Sequence, residues 1–279
     1  MIGAIIGDIV GSRFEFIDDM NRGKDFLFFA KDGLATDDSF MTLAIAQALF
    51  LCKGDYSKLG EYAVSCMREV GLSHINTGWG GGFYRWLKSE KPAPYNSYGN
   101  GAGMRISPVA WVANSEEELK MLCKAVTEVT HNHPEGLKGA EAVAMGVYLA
   151  RMGKSKQEIR ERLAEYYPIL SNPCFTLKSL YGNYGYDEKG DWVTCQGSIP
   201  QAIISFLESE SFEDAVRNAV SLGGDADTIG AMAGAMAEAY YGVSFELEDK
   251  ALEYLDDGLT AIYYAFNLIK GKRVKRAEF

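Results

Sequence analysis

The sequence predicts an all-α fold, and three observations support this class. Strict alternation of apolar and polar residues, the pattern of a half-buried strand, is hard to find over several residues anywhere in the chain. Apolar segments of helical length follow Ser, Thr and Asp, whose side chains cap the first turn of a helix. Small residues recur at spacings of three and four, which lets helix faces pack at short range. Because 47% of residues are hydrophobic and no long polar linker is present, we predict a single domain over residues 1–279.

The first predicted helix covers residues 2–12 and carries glycines at positions 3, 7 and 11, which form one smooth ridge. A glycine-rich nucleotide loop is the alternative, but there is no GxGxxG motif and no preceding strand. The later helices are predicted over residues 36–52, 56–70, 78–87 (after a glycine hinge), 107–113, 115–129, 137–152, 155–167, 198–208, 211–222, 229–242 and 248–269. Loops are predicted over residues 17–35, 97–105, 130–136 and 168–196.

Charge and cysteine content exclude several classes of protein. A formal net charge of −10 argues against a broad nucleic-acid surface, and the basic segment 270–276 is interpreted as a solvated terminus. The five cysteines are odd in number and lack CxxC spacing, so we interpret them as buried, reduced thiols. No apolar segment reaches the roughly 20 residues that span a bilayer, and no basic leader begins the chain. We therefore expect a cytoplasmic enzyme or binding protein, with a monomer as the default state.

Two acidic clusters stand at the starts of apolar helices. Residues 36–38 (Thr-Asp-Asp) begin one helix, and residues 223–228 (Gly-Gly-Asp-Ala-Asp-Thr) begin another. Each cluster alone also fits an ordinary N-cap with an acidic first turn. Brought together, their carboxylates would repel one another unless a cation compensates. Oxygen donors of this kind suit Mg²⁺, Ca²⁺ or Mn²⁺, and two divalent ions about 3.5–4 Å apart are a common arrangement at such sites.

Five motifs in this order resemble the ADP-ribosylglycohydrolase family, which includes the dinitrogenase-reductase-activating glycohydrolases and the ADP-ribosyl-acceptor hydrolases. They are GDIVGSRFE at 7–15, TDDS at 36–39, GNGAGMR at 99–105, TH at 130–131 and GGDADT at 223–228. The last motif is the most specific. The resemblance implies an orthogonal all-α fold, a cleft with two Mg²⁺ ions (or Mn²⁺), and hydrolysis of the glycosidic bond at the distal ribose of an ADP-ribosyl adduct. The implied partner is an ADP-ribosylated protein or small adduct.

The resemblance also implies roles for individual residues. The implied metal ligands are Thr36, Asp37, Asp38, Asp225, Asp227 and Thr228, with Asp227 as the bridging residue. Glu15 matches a glutamate near the scissile bond, and the implied proton-transfer groups are Glu15, Asp38 and Asp227. His131 matches a histidine that lines the ADP-ribose cleft. The segment implied to cradle the diphosphate comprises Gly99, Asn100, Gly101, Ala102, Gly103 and Met104.

Several of these residues also have a plainer interpretation. Glu15 beside Arg13 would by itself be a surface ion pair, and Asp8 is expected to cap or anchor a loop. His131 and His133 do not make a zinc pair without further ligands. The aromatic residues are by default packing residues, and a stacking partner for adenine is expected within segment 181–192.

Two other functions stay open at the level of sequence. The same two-metal chemistry could act on a different ribosyl or phosphorylated small molecule, and a non-catalytic relative could bind ADP-ribose or serve a structural role. Both acidic clusters and Glu15 are intact, which favours a Mg²⁺-dependent hydrolase that reverses ADP-ribosylation. The acceptor, whether arginine, serine or another group, is set by the loops around the cleft.

Overall fold

Helices supply almost all of the regular structure in the computed structural model, which describes residues 1–17, 23–181 and 191–271. Within these ranges there is no strand, only an isolated antiparallel bridge between Gly99 and Thr194. The prediction of an all-α fold is confirmed. Residues 182–190 of the segment expected to stack on adenine, and residues 272–276 of the basic segment, lie outside the described residues.

Most connections between consecutive α-helices are short, but residues 13–36 separate α1 from α2. In chain order they are α1 (Ile2–Ser12), α2 (Asp37–Leu51), α3 (Leu59–Ser73), α4 (Gly81–Lys88), α5 (Gly101–Met104), α6 (Ser107–Val112), α7 (Glu116–Thr127), α8 (Pro134–Arg151), α9 (Lys156–Ala164), α10 (Leu177–Leu180), α11 (Cys195–Leu207), α12 (Phe212–Ser221), α13 (Ala226–Tyr241), α14 (Phe245–Leu252) and α15 (Asp257–Asn267). Short 3₁₀ segments occur at Tyr56–Lys58, Pro168–Ser171 and Asp191–Val193.

Three predicted elements differ in the structure. The segment 168–196, expected to be a loop, contains the short helix α10 and two of the 3₁₀ segments. The helix expected over 248–269 is broken into α14 and α15, because Asp256 caps a new helix by accepting a hydrogen bond from the Leu259 N–H at 2.8 Å. The segment 97–105, expected to be a flexible loop, contains the short helix α5. That helix is buried because Asn100 N–H donates to the Val193 carbonyl and Cys195 N–H donates to the Tyr98 carbonyl, which attach the segment to the start of α11.

Helix α13 lies at the centre of the molecule and is buried along nearly its whole length. Its sequence is mostly alanine, glycine and methionine, so neighbouring helices approach it from several sides. It packs against α1, α8, α11 and α12. The acidic residues at its start are therefore held on the most constrained element of the fold.

The contact between α1 and α13 has almost no side chain between the two backbones. A methyl group added at Gly230 would lie 2.6 Å from the Gly7 carbonyl oxygen, and one at Gly11 would lie 2.6 Å from the Ala226 carbonyl oxygen. One at Gly3 would overlap the Gly234 carbonyl, so the two helices run antiparallel. The glycine ridge predicted on the first helix therefore packs on the small-residue face of α13.

Among the described residues, no helix combines the length and the apolar character that crossing a bilayer requires.

Candidate metal centre and substrate cleft

The starts of α2 and α13 meet in the folded chain. The Thr228 hydroxyl donates a hydrogen bond to Asp38 Oδ2 at 3.1 Å, although 190 positions separate the two residues in the sequence. Asp38, Asp225 and Asp227 are all buried. The two acidic clusters recognised in the sequence therefore form one site.

Neither cluster behaves as an ordinary helix cap. The N-cap residues Thr36 and Asp225 make no side-chain capping bond, whereas Ser115 and Ser211 cap α7 and α12 by accepting from the backbone three residues on. The Thr36 hydroxyl instead donates to Asp8 at 2.7 Å. Asp225 accepts from the side-chain amide of Asn100 at 2.7 Å. Both helix starts thus direct their oxygens toward other segments of the chain, and the capping interpretation does not account for them.

Asp8 on α1 anchors the start of α2, as expected for a loop-anchoring residue. Its carboxylate accepts from the Thr36 N–H at 2.9 Å and from the Ser39 N–H at 3.1 Å, as well as from both hydroxyls. Because α1 also packs on α13, Asp8 fixes the position of Asp38 relative to Asp227.

The site gathers carboxylate oxygens without an internal counter-charge. Oxygens of Asp8, Asp38 and Asp227 lie within 4.8 Å of one another, and so do oxygens of Glu15, Asp225 and Asp227. In the described part of the chain, no Lys, Arg or His forms an ion pair with any of them. Asp38 Oδ1 is buried and has no hydrogen-bond partner. Hard oxygen donors in this arrangement fit a divalent cation such as Mg²⁺.

Burial and mutual repulsion raise the pKa of these groups. Burial and the neighbouring Asp8 and Asp225 raise the pKa of Asp37 to about 8. Burial, followed by Asp225 and Asp8, raises the pKa of Glu15 to about 7. The pKa values of Asp38 and Asp227 are raised well above their ordinary value for the same two reasons, burial first and neighbouring carboxylates second. A bound cation would reverse these shifts, because positive charge favours the ionised carboxylate.

Two glycines before α13 adopt a backbone conformation that other residues rarely take. Gly223 has φ of +81° and Gly224 has φ of +65°. This turn places the Gly224 carbonyl where it accepts from the Phe16 N–H at 2.8 Å. The turn that carries Glu15 is therefore attached directly to the segment that carries Asp225. Arg13 does not form an ion pair with Glu15. Its Nη1 atom instead lies 3.7 Å from Asp32 Oδ1.

A cleft of about 510 Å³ opens beside the acidic residues. Of the residues implied by the sequence, those that line it are Glu15, Asp37, Asp38, Gly99, Asn100, Gly101, Met104, His131, Asp225 and Thr228. Ala102 and Gly103 instead face the core, since a methyl group at Gly103 would lie 2.9 Å from Met232 Sδ. Thr36 and Asp227 lie behind the lining residues, at the starts of α2 and α13.

Other lining residues had no functional role in the sequence interpretation. Trp79 and Phe83 were interpreted from the sequence as packing residues. Their rings do pack against each other, with centroids 5.4 Å apart, and both side chains also line the cleft. Arg105 is 1% exposed, lines the cleft and donates to the Thr130 hydroxyl at 2.6 Å. The sequence signal that could have identified Arg105 is its position: it is a cationic residue at the end of the GNGAGMR motif, between two apolar residues. His133 caps α8 by accepting from the Glu135 N–H at 3.1 Å and does not join His131 in a metal pair.

Comparison with known proteins adds a family to this geometry. The family described as ADP-ribosylglycohydrolase matches residues 1–275. The ADP-ribosylhydrolase ARH3 of Gallus gallus is 26% identical, with 87% of this chain and 84% of the relative covered. The ADP-ribosylarginine hydrolase Tri1 of Pseudomonas putida (strain GB-1) is 28% identical, covering 88% of this chain and 70% of the relative. A solved structure titled ADP-ribosylglycohydrolase-related protein complex shares the fold with a TM-score of 0.64, 23% identity and 96% coverage of both chains.

Proposed function

Since the chain belongs to the ADP-ribosylglycohydrolase family, we propose that it hydrolyses the glycosidic bond between ADP-ribose and an acceptor on a modified protein, with the help of Mg²⁺. The observation that carries this proposal is the set of buried carboxylates without an internal counter-charge, in particular Asp38 Oδ1, which is buried and unpartnered. Leaving such an oxygen unpaired is costly, so its retention favours a ligand that the protein itself does not supply.

We assign the metal ligands to Thr36, Asp37, Asp38, Asp225, Asp227 and Thr228. Asp227 contributes an oxygen to both groups of closely spaced carboxylates, which supports a bridging role between two ions. Both hydroxyls donate their protons to carboxylates, Thr36 to Asp8 and Thr228 to Asp38. Their lone pairs are then free to accept a cation. Asp8 is held by four donors and serves to orient α2.

When bound, divalent ions of this kind orient sugar hydroxyls and lower the pKa of a coordinated water. The protein's own part is to place groups around the distal ribose. Glu15 lies at the cleft wall next to Asp225 and has no ion-pair partner among the described residues, so we assign proton transfer at the scissile bond to its carboxylate. Asp38 and Asp227, which are also candidates, are buried more deeply and are better placed to hold the metal.

The adjacent wall of the cleft is placed to bind the part of ADP-ribose beyond the distal ribose. Gly99 and Gly101 expose backbone there, Asn100 holds Asp225, and Met104 and His131 line the same space. We propose that this segment binds the diphosphate, with Ala102 and Gly103 supporting it from the core. Trp79 and Phe83 extend the lining with aromatic surface.

The direct test is release of free ADP-ribose. Purified protein is incubated with proteins ADP-ribosylated on arginine or on serine, in Mg²⁺, in EDTA, and in EDTA followed by excess Mg²⁺. We expect release on at least one substrate, its loss in EDTA and its recovery with Mg²⁺. Binding of ADP-ribose without any release would instead favour a non-catalytic binder, and release from only small ribosyl compounds would favour the small-molecule alternative. The name of Tri1 specifies ADP-ribosylarginine, so the arginine substrate is tested first.

A further inference from the structure

A cation is buried in the cleft wall without a carboxylate partner. Arg105 is 1% exposed, and no carboxylate oxygen in the described part of the chain lies within ion-pair distance of its guanidinium. Its hydrogen bonds go to the Thr130 hydroxyl at 2.6 Å and to His131 Nδ1 at 3.4 Å. An unpaired buried charge is expensive to keep, so this arrangement calls for a functional explanation.

The direction of each hydrogen bond follows from the chemistry of arginine. A guanidinium only donates, so the Thr130 oxygen must accept from Arg105. The Thr130 proton then has two possible acceptors, the Thr127 carbonyl at 3.4 Å and His131 Nδ1 at 2.7 Å. The shorter bond goes to Nδ1. A proton on Nδ1 would face the Arg105 N–H, whereas an unprotonated Nδ1 accepts from both Arg105 and Thr130, so the geometry favours a neutral imidazole with Nδ1 unprotonated.

The other ring nitrogen faces the glycine segment of the cleft. A methyl group at Gly101 would lie 3.3 Å from His131 Nε2, and one at Gly99 would lie 3.8 Å from it. No described residue accepts a hydrogen bond from Nε2. The Nε2–H is thus an unused donor beside the two glycines that leave room for a ligand.

We propose that Arg105 and Thr130 are positioning residues that hold His131 as the neutral Nε2–H tautomer, so that His131 donates a hydrogen bond to a ligand oxygen beside Gly99 and Gly101. The identity of that ligand as an ADP-ribosyl group rests on the proposed function; the tautomer does not. A neutral donor suits this position, because an imidazolium next to Arg105 would add a second buried positive charge.

The tautomer can be measured directly in the full-length protein with Mg²⁺. The chain has three histidines, so long-range ¹H–¹⁵N correlation spectra of ¹⁵N-histidine-labelled protein resolve each ring, and His131→Gln assigns the signal. We expect His131 at neutral pH to carry its proton on Nε2, with Nδ1 unprotonated. In Arg105→Met, the Thr130 hydroxyl is free to accept instead, and we expect a second population with a proton on Nδ1. A wild-type ring protonated on Nδ1, or an unchanged tautomer in Arg105→Met, would overturn the proposal.

Binding of ADP-ribose, measured by calorimetry, tests whether the two residues act through His131. Loss of one oriented donor predicts about tenfold weaker binding in Thr130→Val and in His131→Ala. Thr130→Ser keeps the hydroxyl and serves as the matched control, with less than about a twofold change. Thr130→Val is close in shape to the native residue, so this arm does not depend on whether Arg105→Met folds.

The double variant Thr130→Val, His131→Ala separates positioning from a general structural role. If Thr130 acts through His131, the double variant binds ADP-ribose no more weakly than His131→Ala alone, because the second change removes nothing further. The proposal would be contradicted if the losses of ADP-ribose affinity in the two single variants multiply in the double variant. It would also be contradicted if Thr130→Ser binds ADP-ribose as weakly as Thr130→Val. If wild-type protein binds no ADP-ribose at all, the proposed function fails, and the tautomer measurement still decides the positioning role.

Discussion

Helices α1 and α13 run antiparallel, and each end of the pair buries carboxylate side chains. At one end, Glu238 accepts from the Gly3 N–H at 2.9 Å and from Lys270 Nζ at 2.6 Å, and it also pairs with the amino group of Met1. Burial by itself would raise its pKa, but Lys270 and the amino group outweigh burial and hold the pKa at about 2. At the other end, Asp8, Asp38 and Asp227 meet with no such cation among the described residues. Burial raises all three pKa values, and repulsion from neighbouring carboxylates raises those of Asp38 and Asp227 further.

This comparison distinguishes a buried carboxylate that stabilises the fold from buried carboxylates that are placed to bind a ligand. The chain supplies an internal cation, the Lys270 ammonium, together with the Met1 amino group where a buried acid ties α1, α13 and the segment after α15 together. In the described part of the chain it supplies no cation beside the cleft, where Asp8, Asp38 and Asp227 meet, although α1 and α13 are again involved and burial is equally deep. The cluster at the cleft therefore carries a cost in stability that a divalent ion would offset.

The largest expected effect falls on catalysis, in Asp227→Asn. Asp227 contributes to both carboxylate groups, so we expect release of ADP-ribose to fall on the order of a thousandfold. Without metal, the same variant should be more stable than wild type by about 1–3 kcal/mol, because a buried uncompensated charge is removed. Steady-state assays and urea unfolding in EDTA measure the two effects. Full activity in this variant would remove Asp227 from the metal centre.

At the opposite end of the α1–α13 pair, Glu238→Gln should lower stability and leave catalysis almost unchanged. It leaves Lys270 and the Met1 amino group without their shared partner, so we expect a loss of about 3–5 kcal/mol in the free energy of unfolding. The kcat of the folded fraction should stay within about twofold of wild type, since Glu238 is remote from the cleft. The double variant Glu238→Gln, Lys270→Met is the matched control and should lose less than the single one. If Glu238→Gln unfolds no more easily than wild type, the pairing does not stabilise the fold.

The glycine contacts allow each end to be disturbed separately. In Gly3→Ala and Gly11→Ala, the added methyl group has no space, and we expect each to cost about 1–3 kcal/mol of stability. Only Gly11→Ala displaces the backbone around Asp227, so only that variant should weaken Mg²⁺ binding, by about tenfold. Calorimetric titration with Mg²⁺ distinguishes them. Gly23→Ala, where the nearest atom would lie 3.9 Å away, is the control. Equal Mg²⁺ affinities in all three would show that the metal centre does not depend on this contact.

A further expected effect is a pH dependence of stability with opposite signs at the two ends. The pKa of Asp8 is raised to about 6, that of Glu15 to about 7 and that of Asp37 to about 8. In EDTA the folded state therefore binds more protons than the unfolded state, and stability should fall as pH rises from about 4 to about 8. Mg²⁺ should flatten this slope. Each kcal/mol lost from the free energy of unfolding lowers Tm by about 2–4 °C.

Glu238 contributes in the opposite sense. Its pKa of about 2 means that its stabilisation is present above the ordinary glutamate pKa and is lost only as pH falls toward 2. Thermal unfolding across pH in EDTA, compared between wild type and Glu238→Gln, isolates this acidic loss. A wild-type Tm in EDTA that rises between pH 4 and 8 would contradict the description of the cleft cluster.

Much of the fold follows from local signals. The glycines at 3, 7 and 11 predicted a close-packing helix, and Ser115 and Ser211 predicted helix starts that the structure contains. The helix starts that failed as caps, at Thr36 and Asp225, are those where a tertiary partner took the side chain. The helix within 97–105 was missed for a related reason, because it depends on hydrogen bonds to the start of α11. The break at Asp256 was missed although it has a local signal, since an aspartate that can cap a helix stands there and helical periodicity does not encode it.

The candidate site divides in the same way. Residue types and their spacing identify the donor set: two acidic clusters, a glutamate in a glycine-rich motif, and glycines with room for a ligand. The packing of distant segments brings Asp38 to Asp227 and lets Arg105 and Thr130 orient His131. It alone decided that Glu238 is neutralised while the cleft carboxylates are not. The physical reason is that residue type fixes what a group can bind, whereas charge compensation depends on which distant segment packs within a few ångströms of it.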